Sequence, residues 1–170
     1  IPSDNHLIRV YKDNTIERAL IVKVFQSKFR NQKNQIFNIY SDKLVERIFD
    51  SLEYDTLGQL CTVNQGIALK GDKSLSLRSS NENNKFYKLL DGRNINKYNI
   101  AWNGVYLDYD INRIHSCKRK DIFESKEKLL FRRVSKKLIF TYDTNNYYAL
   151  NTIVVVNKKK GMNVNLKFLL

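Results

Sequence analysis

The apolar positions of this chain fall in short runs, and three of them crowd into its last third. Leu129-Leu130-Phe131, Leu138-Ile139-Phe140 leading into Tyr142, and Tyr147-Tyr148 leading into Ile153-Val154-Val155-Val156 have strand length and β-branched or aromatic character. Near the start, residues 7–11, 19–25 and 36–40 alternate loosely between polar turns at Lys12-Asp13-Asn14 and Arg30-Asn31-Gln32. That pattern predicts a small antiparallel unit. Ser41-Asp42 then caps Leu44, Val45, Ile48, Phe49 and Leu52, whose spacing suits an amphipathic helix.

From residue 57 the pattern changes. Residues 57–63 read as a strand ending at Asn64-Gln65-Gly66, and Gly66 and Gly71 bracket a short apolar run. Residues 79–84 form a polar loop tip, and residues 86–90 a strand closed by a tight turn at Asp91-Gly92. Residues 106–109 predict another strand, residues 121–126 a helical turn, and residues 163–170 the opening of a helix. The expected fold is α+β, a mixed, mainly antiparallel curved sheet with a few helices. Residues 57–170 would form the principal domain, cut short at its C-terminal helix. Residues 1–56 would be an N-terminal extension, or a connection from an upstream domain, with Ile1-Pro2 reading as an internal start.

Charge changes the picture. The 170 residues carry 30 Lys and Arg against 17 Asp and Glu, a formal +13. AT-rich coding can inflate lysine, but it should do so evenly. Residues 113–160 hold 13 basic against four acidic residues, whereas residues 48–112 hold seven against eight. So uneven a distribution marks a basic face that suits a polyanion.

Several chemistries are excluded or weak. Pro2 is the only proline, so the Asp/Asn-Pro-Pro-Tyr/Phe loop with which amino-methyltransferases hold a flipped base is absent, as are GxGxxG and P-loop patterns. Cys61 and Cys117 are solitary, and with only His6 and His115 beside them a zinc site is not expected; free thiols in the cytoplasm are. No apolar stretch has the length of a membrane span. Asp121, Glu124 and Lys126 mimic a nuclease metal site, a pattern that lysine-rich chains produce by chance.

The remaining candidates suit nucleic acid. Lys70, Asp72, Lys73 and Arg93 lie on turns, where backbone and side chain can approach a base edge. Of Arg132 and Arg133, alternation along a strand sends one inward and one outward. Lys118, Arg119, Lys120, Lys136, Lys137, Lys158, Lys159 and Lys160 are candidates for phosphate contact. Tyr142, Tyr147 and Tyr148 either pack the core or stack on bases. Two other classes stay open: a small metal-dependent nuclease using Asp121, Glu124 and Lys126, and a basic protein-interaction module without DNA specificity.

Three ordered blocks carry a resemblance. Leu129-Leu130-Phe131-Arg132-Arg133, Lys137-Leu138-Ile139-Phe140-Thr141-Tyr142-Asp143 and Tyr147-Tyr148-Ala149-Leu150-Asn151-Thr152 resemble the C-terminal specificity domain of TaqI-like N6-adenine DNA methyltransferases. That family includes fused Type IIG restriction–modification enzymes. Leu57-Gly58 leading to Gly66 and Gly71 resembles its glycine-rich segment. Leu89-Leu90-Asp91-Gly92-Arg93-Asn94-Ile95 matches its Leu-Leu-x-Gly-Arg-x-Ile segment, and Asn96-Lys97-Tyr98 stands at its basic-plus-Tyr pair. The resemblance implies a target-recognition domain for double-stranded DNA, without catalysis of its own. Its partner would be an upstream methyltransferase domain that binds S-adenosylmethionine, with Mg required where an endonuclease is fused. A Type I specificity subunit is a near neighbour, but it normally repeats its recognition domain and no repeat is present here.

Overall fold

The β-branched run Ile153-Val154-Val155-Val156 lies within the strand that organises the larger sheet. In the computed structural model, which describes residues 5–12, 19–31, 44, 47 and 51–170, the chain divides into two units, Ile1–Tyr54 and Asp55–Leu170.

In the first unit, β1 (Leu7–Lys12) and β2 (Ala19–Phe25) form an antiparallel pair whose register slips between Val10 and Tyr11, and α1 (Gln26–Asn31) follows directly. Val24 and Phe29 are buried. The strand expected at 36–40 lies outside the described residues. So does most of the helix expected after Asp42, of which Leu44, Arg47 and Ser51 are described and helical.

The second unit opens with a correction. Residues 57–60 are not strand but one helical turn, α2 (Leu57–Leu60). Gln59 Oε1 accepts both the backbone N–H and the hydroxyl of Thr56 at 2.7 Å, and this local cap starts the turn. The strand proper, β3 (Cys61–Gln65), begins only afterwards. Then follow β4 (Ala68–Leu69), β5 (Leu77–Arg78), β6 (Tyr87–Leu90), β7 (Ile95–Asn96), β8 (Asn99–Ile100), β9 (Tyr106–Leu107) and β10 (Ile114–Ser116). The last four strands are β11 (Lys128–Arg132), β12 (Phe140–Asp143), β13 (Tyr148–Ala149) and β14 (Ile153–Lys158).

One four-stranded sheet, β12-β11-β14-β3, is wholly antiparallel. A second, β13-β6-β9-β5, is mixed, because β13 runs parallel to β6. Pairs β10-β4 and β7-β8 complete a mainly antiparallel α+β architecture of open sheets.

β14 reads Val-Val-Val without alternation because both of its faces are covered. Leu130, Ile153 and Val155 enter the main core with Leu90, Ile95 and Tyr148. Leu129 and Val156 point the other way and pack with Cys61 and Leu166. Leu166 sits in a single 3₁₀ turn, Leu166–Leu169, where a helix had been expected. The expected helical turn after Asp121 is likewise a short 3₁₀ turn, Lys120–Ile122.

β11 and β12 also hold a buried ion pair. Lys128 Nζ lies 2.6 Å from Asp143 Oδ2, both side chains fully buried, and the two residues face each other in register. Lys128 Nζ also donates to the Phe123 carbonyl at 2.7 Å, and Asp143 accepts the N–H groups of Asn145 and Tyr147. Nearby backbone groups thus add to the pairing of the two desolvated charges.

Candidate nucleic-acid interface

Gly92 is the hinge of the site. Asp91 caps the 3₁₀ turn Gly92–Asn94 by accepting the Arg93 N–H at 2.7 Å, while Asn94 Oδ1 accepts the Asp91 N–H. The Gly92 N–H donates to Thr152 Oγ1 at 2.9 Å. A Cβ on Gly92 would stand 3.3 Å from the Thr152 carbonyl oxygen and 3.5 Å from Arg132 Cγ, so only glycine fits here without displacing a neighbour. Thr152 also accepts the Arg133 N–H on its carbonyl at 2.9 Å. Thr152 thus fastens the backbone of Gly92 and of Arg133, the neighbours of Arg93 and Arg132, at one end of the larger sheet.

Their environments differ. The Arg93 side chain is 89% exposed, and its Nε and Nη2 both bond Asp91 Oδ2. That bonding, aided by backbone N–H groups, holds the Asp91 carboxyl below its ordinary range and raises Arg93. Arg132 is half-buried: its Nη2 donates to the Ile95 carbonyl at 2.6 Å, tying β11 to β7, while its Nε–H is buried without a protein partner. Arg133 is exposed. Arg132, the last residue of β11, thus points inward, and Arg133, in the bend just after the strand, is exposed.

Two loops border this cluster. Residues 133–139 join β11 to β12 and carry Lys136 and Lys137, both exposed; the Ser135 hydroxyl donates to the Lys137 carbonyl within the loop. Beside them lies the β7–β8 turn at Lys97-Tyr98, whose Tyr98 N–H donates to the Phe140 carbonyl at 2.9 Å. Tyr98, Val134, Leu138 and Thr152 were not among the expected site residues. Leu138 had been assigned to a strand, but β12 starts at Phe140, and the backbone of Tyr98 takes a left-handed conformation, φ 62°.

A second basic cluster lies at the far end of β14. Arg119, Lys158, Lys159 and Lys160 line a pocket of about 360 Å³ with Thr62, Asn64 and Asn157. Five residue steps along β14 separate Ile153 from Lys158, a span of about 17 Å. Lys158 faces Glu127 at 3.6 Å, Lys159 Nζ donates to the Gly58 carbonyl, and Lys160 is exposed. Arg119 binds Asp121 at 2.5 Å, which lowers the Asp121 carboxyl. Lys118 is exposed. Lys120 is drawn into the fold: its Nζ donates to the Tyr87 hydroxyl at 2.8 Å and lies over the rings of Tyr87 and Tyr109, and the Tyr87 bond raises its pKa.

The other expected residues make their contacts elsewhere. Asp72 caps the 3₁₀ turn Lys73–Ser76 by accepting the Ser74 N–H, which lowers its carboxyl. Lys70 and Lys73 are exposed beside it, and the Lys70 N–H donates to the Arg113 carbonyl. Tyr147 and Tyr148 are core residues; Tyr148 stacks on Phe123 at 4.8 Å, and burial raises its phenol. Tyr142 is half-buried, its hydroxyl on Glu127 and Lys167 over its ring.

The nuclease-like carboxylates are occupied as well: Asp121 by Arg119, and Glu124 by the Tyr148 hydroxyl at 2.7 Å. Among the described residues no three His, Cys, Asp or Glu side chains group as a metal site would require, and no helix is long and apolar enough to cross a membrane. Both cysteines are free.

The Leu89–Ile95 segment, β11 and the β13–β14 loop meet at one end of the sheet, in the order that the resemblance requires. Residues 87–170 match the family of TaqI-like C-terminal specificity domains. The matched residues include Arg93, Arg132, Arg133, Thr152 and the Lys158–Lys160 run, and they begin at the first residue of β6. No curated protein matches the chain.

Proposed function

We propose that this chain is the sequence-specific recognition part of a restriction–modification enzyme that acts on double-stranded DNA. The parent enzyme would methylate adenine at N6, with or without a fused endonuclease. Its S-adenosylmethionine, and any Mg, would be held by other parts of the enzyme, and its work would be done in the cytoplasm.

The observation that carries this reading is that Thr152 ties down the backbone of Gly92, next to Arg93, and of Arg133, next to Arg132, at the opposite end of β14 from Arg119 and Lys158–Lys160. Base reading and phosphate grip are separate tasks. In this reading Arg93 and Arg133 approach base edges, where a guanidinium fork matches guanine O6 and N7. Arg132 supports them through Ile95. The cluster about 17 Å away grips a phosphate backbone roughly half a helical turn along the duplex. Lys136 and Lys137 add phosphate contacts beside the reading end, whereas Lys70, Asp72 and Lys73 form a separate mixed-charge edge.

The test is a binding titration on a randomised duplex pool at two salt concentrations, with sequencing of the retained DNA. Enrichment of a short motif is the expected result. Salt-sensitive retention without enrichment would leave only a generic basic grip, and no retention at low salt would overturn the DNA reading.

A further inference from the structure

The reading end carries a feature that electrostatics does not explain. Val134 is 82% exposed, Leu138 74% and Tyr98 60%, and all three sit on loops that meet at Phe140. Solvent-facing apolar side chains on adjoining loop tips gain nothing for the fold. Tyr98 is also strained, since a left-handed φ of 62° is costly for an aromatic residue. Backbone strain held at an exposed tip points toward function rather than stability.

The surroundings select the partner. Residues 93–100 and 132–140 together contain six Lys and Arg and no Asp or Glu, so an anionic surface is the complement. Two adjoining hairpin tips, β7–β8 and β11–β12, with bulky side chains suit a major groove about 12 Å wide and not a minor groove of about 6 Å. On a major-groove floor the apolar feature is the thymine 5-methyl group.

We infer that Val134, Leu138 and Tyr98 form an apolar reading tip that packs against thymine methyl groups in the major groove, making A·T positions part of the recognised sequence. The inference rests on the DNA-recognition reading above and adds to it the chemistry of the contacted base. The arginines read hydrogen-bonding edges, and the tip reads shape and methyl groups.

The experiment takes the motif enriched from the randomised pool and prepares it with thymine and with deoxyuridine, which removes only the methyl groups. The 170-residue chain is titrated on both, beside Val134→Ser/Leu138→Ser and Tyr98→Asn. Expected is a loss of about fourfold per contacted methyl on the deoxyuridine duplex. The double variant, which keeps Tyr98, should discriminate between the duplexes clearly less than the unmodified chain. Tyr98→Asn should raise the unfolding midpoint, because asparagine tolerates the left-handed backbone, and yet weaken binding to the thymine duplex. A motif without thymine, equal binding of both duplexes by the unmodified chain, or discrimination undiminished in the double variant would each overturn the inference while leaving DNA recognition standing. Failure to enrich any motif would overturn both.

Discussion

The Gly92 backbone N–H donates to the Thr152 hydroxyl at 2.9 Å, fastening the turn that presents Arg93 to the loop between β13 and β14. Gly92 is buried, so its N–H depends on that acceptor. Thr152→Val keeps the side-chain shape and removes the acceptor. The expected cost is about 1–3 kcal/mol, toward the lower end because Thr152 is itself exposed and water can substitute. Urea unfolding measures it. Sequence discrimination should fall with it, because the Arg93 turn is then no longer tied to the sheet. An unchanged unfolding midpoint would mean that the bond does not hold the turn.

What sequence could show of this arrangement follows the range of the forces involved. β11 and β14 are legible because β-branched and aromatic runs of strand length leave few alternatives. Leu138 misleads: it is apolar, but it sits on a loop tip, and periodicity cannot tell an exposed leucine from a buried one. Residues 57–60 mislead through a local cap, where Thr56 and Gln59 outcompete the strand pattern. The approach of Gly92 to Arg132 spans forty residues and depends on β7 packing beside β11 and β12. Neither pattern nor propensity contains that information. Sequence alternation treats Arg132 and Arg133 as successive strand residues, whereas β11 ends at Arg132 and Arg133 lies in the following bend. Which arginine turns inward is decided by the Ile95 carbonyl, 2.6 Å from Arg132 Nη2.

Arg93 and Lys160 should separate base reading from phosphate grip. Two of the five guanidinium N–H groups of Arg93 are committed to Asp91, which orients the fork and leaves the rest available. Arg93→Ala should relax preference at one position of the motif, at a cost of about 1–3 kcal/mol there. Lys160→Ala should weaken binding to every duplex and reduce the salt slope by about one. Titrations of specific and scrambled duplexes across a salt series check both. Uniform loss in both variants would remove Arg93 from base reading.

The Lys128–Asp143 pair predicts an asymmetric response. Lys128→Met leaves the Asp143 carboxylate buried beside two backbone donors but without its cation, and should cost about 3–5 kcal/mol. Replacing both partners with apolar residues of similar volume should cost clearly less than that single change. Denaturant unfolding of the single and double variants measures the difference. A double variant as unstable as Lys128→Met would show that the backbone donors to Asp143, not the ion pair, carry the stabilisation.

Asp91 predicts a pH dependence. Its carboxyl is held below the ordinary 3.8, chiefly by the Arg93 guanidinium and then by backbone N–H groups, against a smaller opposing effect of burial. A depressed folded value means that the unfolded chain takes up the proton first as pH falls. The stabilisation is therefore fully present above about pH 4 and is lost as pH drops through the folded value. Asp91→Asn keeps a capping side chain but cannot titrate, so the variant should lose less stability than the parent between pH 5 and pH 2. It should also release Arg93, whose Nε and Nη2 then lack their anionic partner. At neutral pH the variant should lack that stabilisation, so it should be less stable than the parent, and it should discriminate less among duplex sequences. Unfolding curves at several pH values and a competition titration with scrambled DNA read the two effects separately. A variant that keeps full discrimination would mean that Arg93 finds its place from the DNA alone.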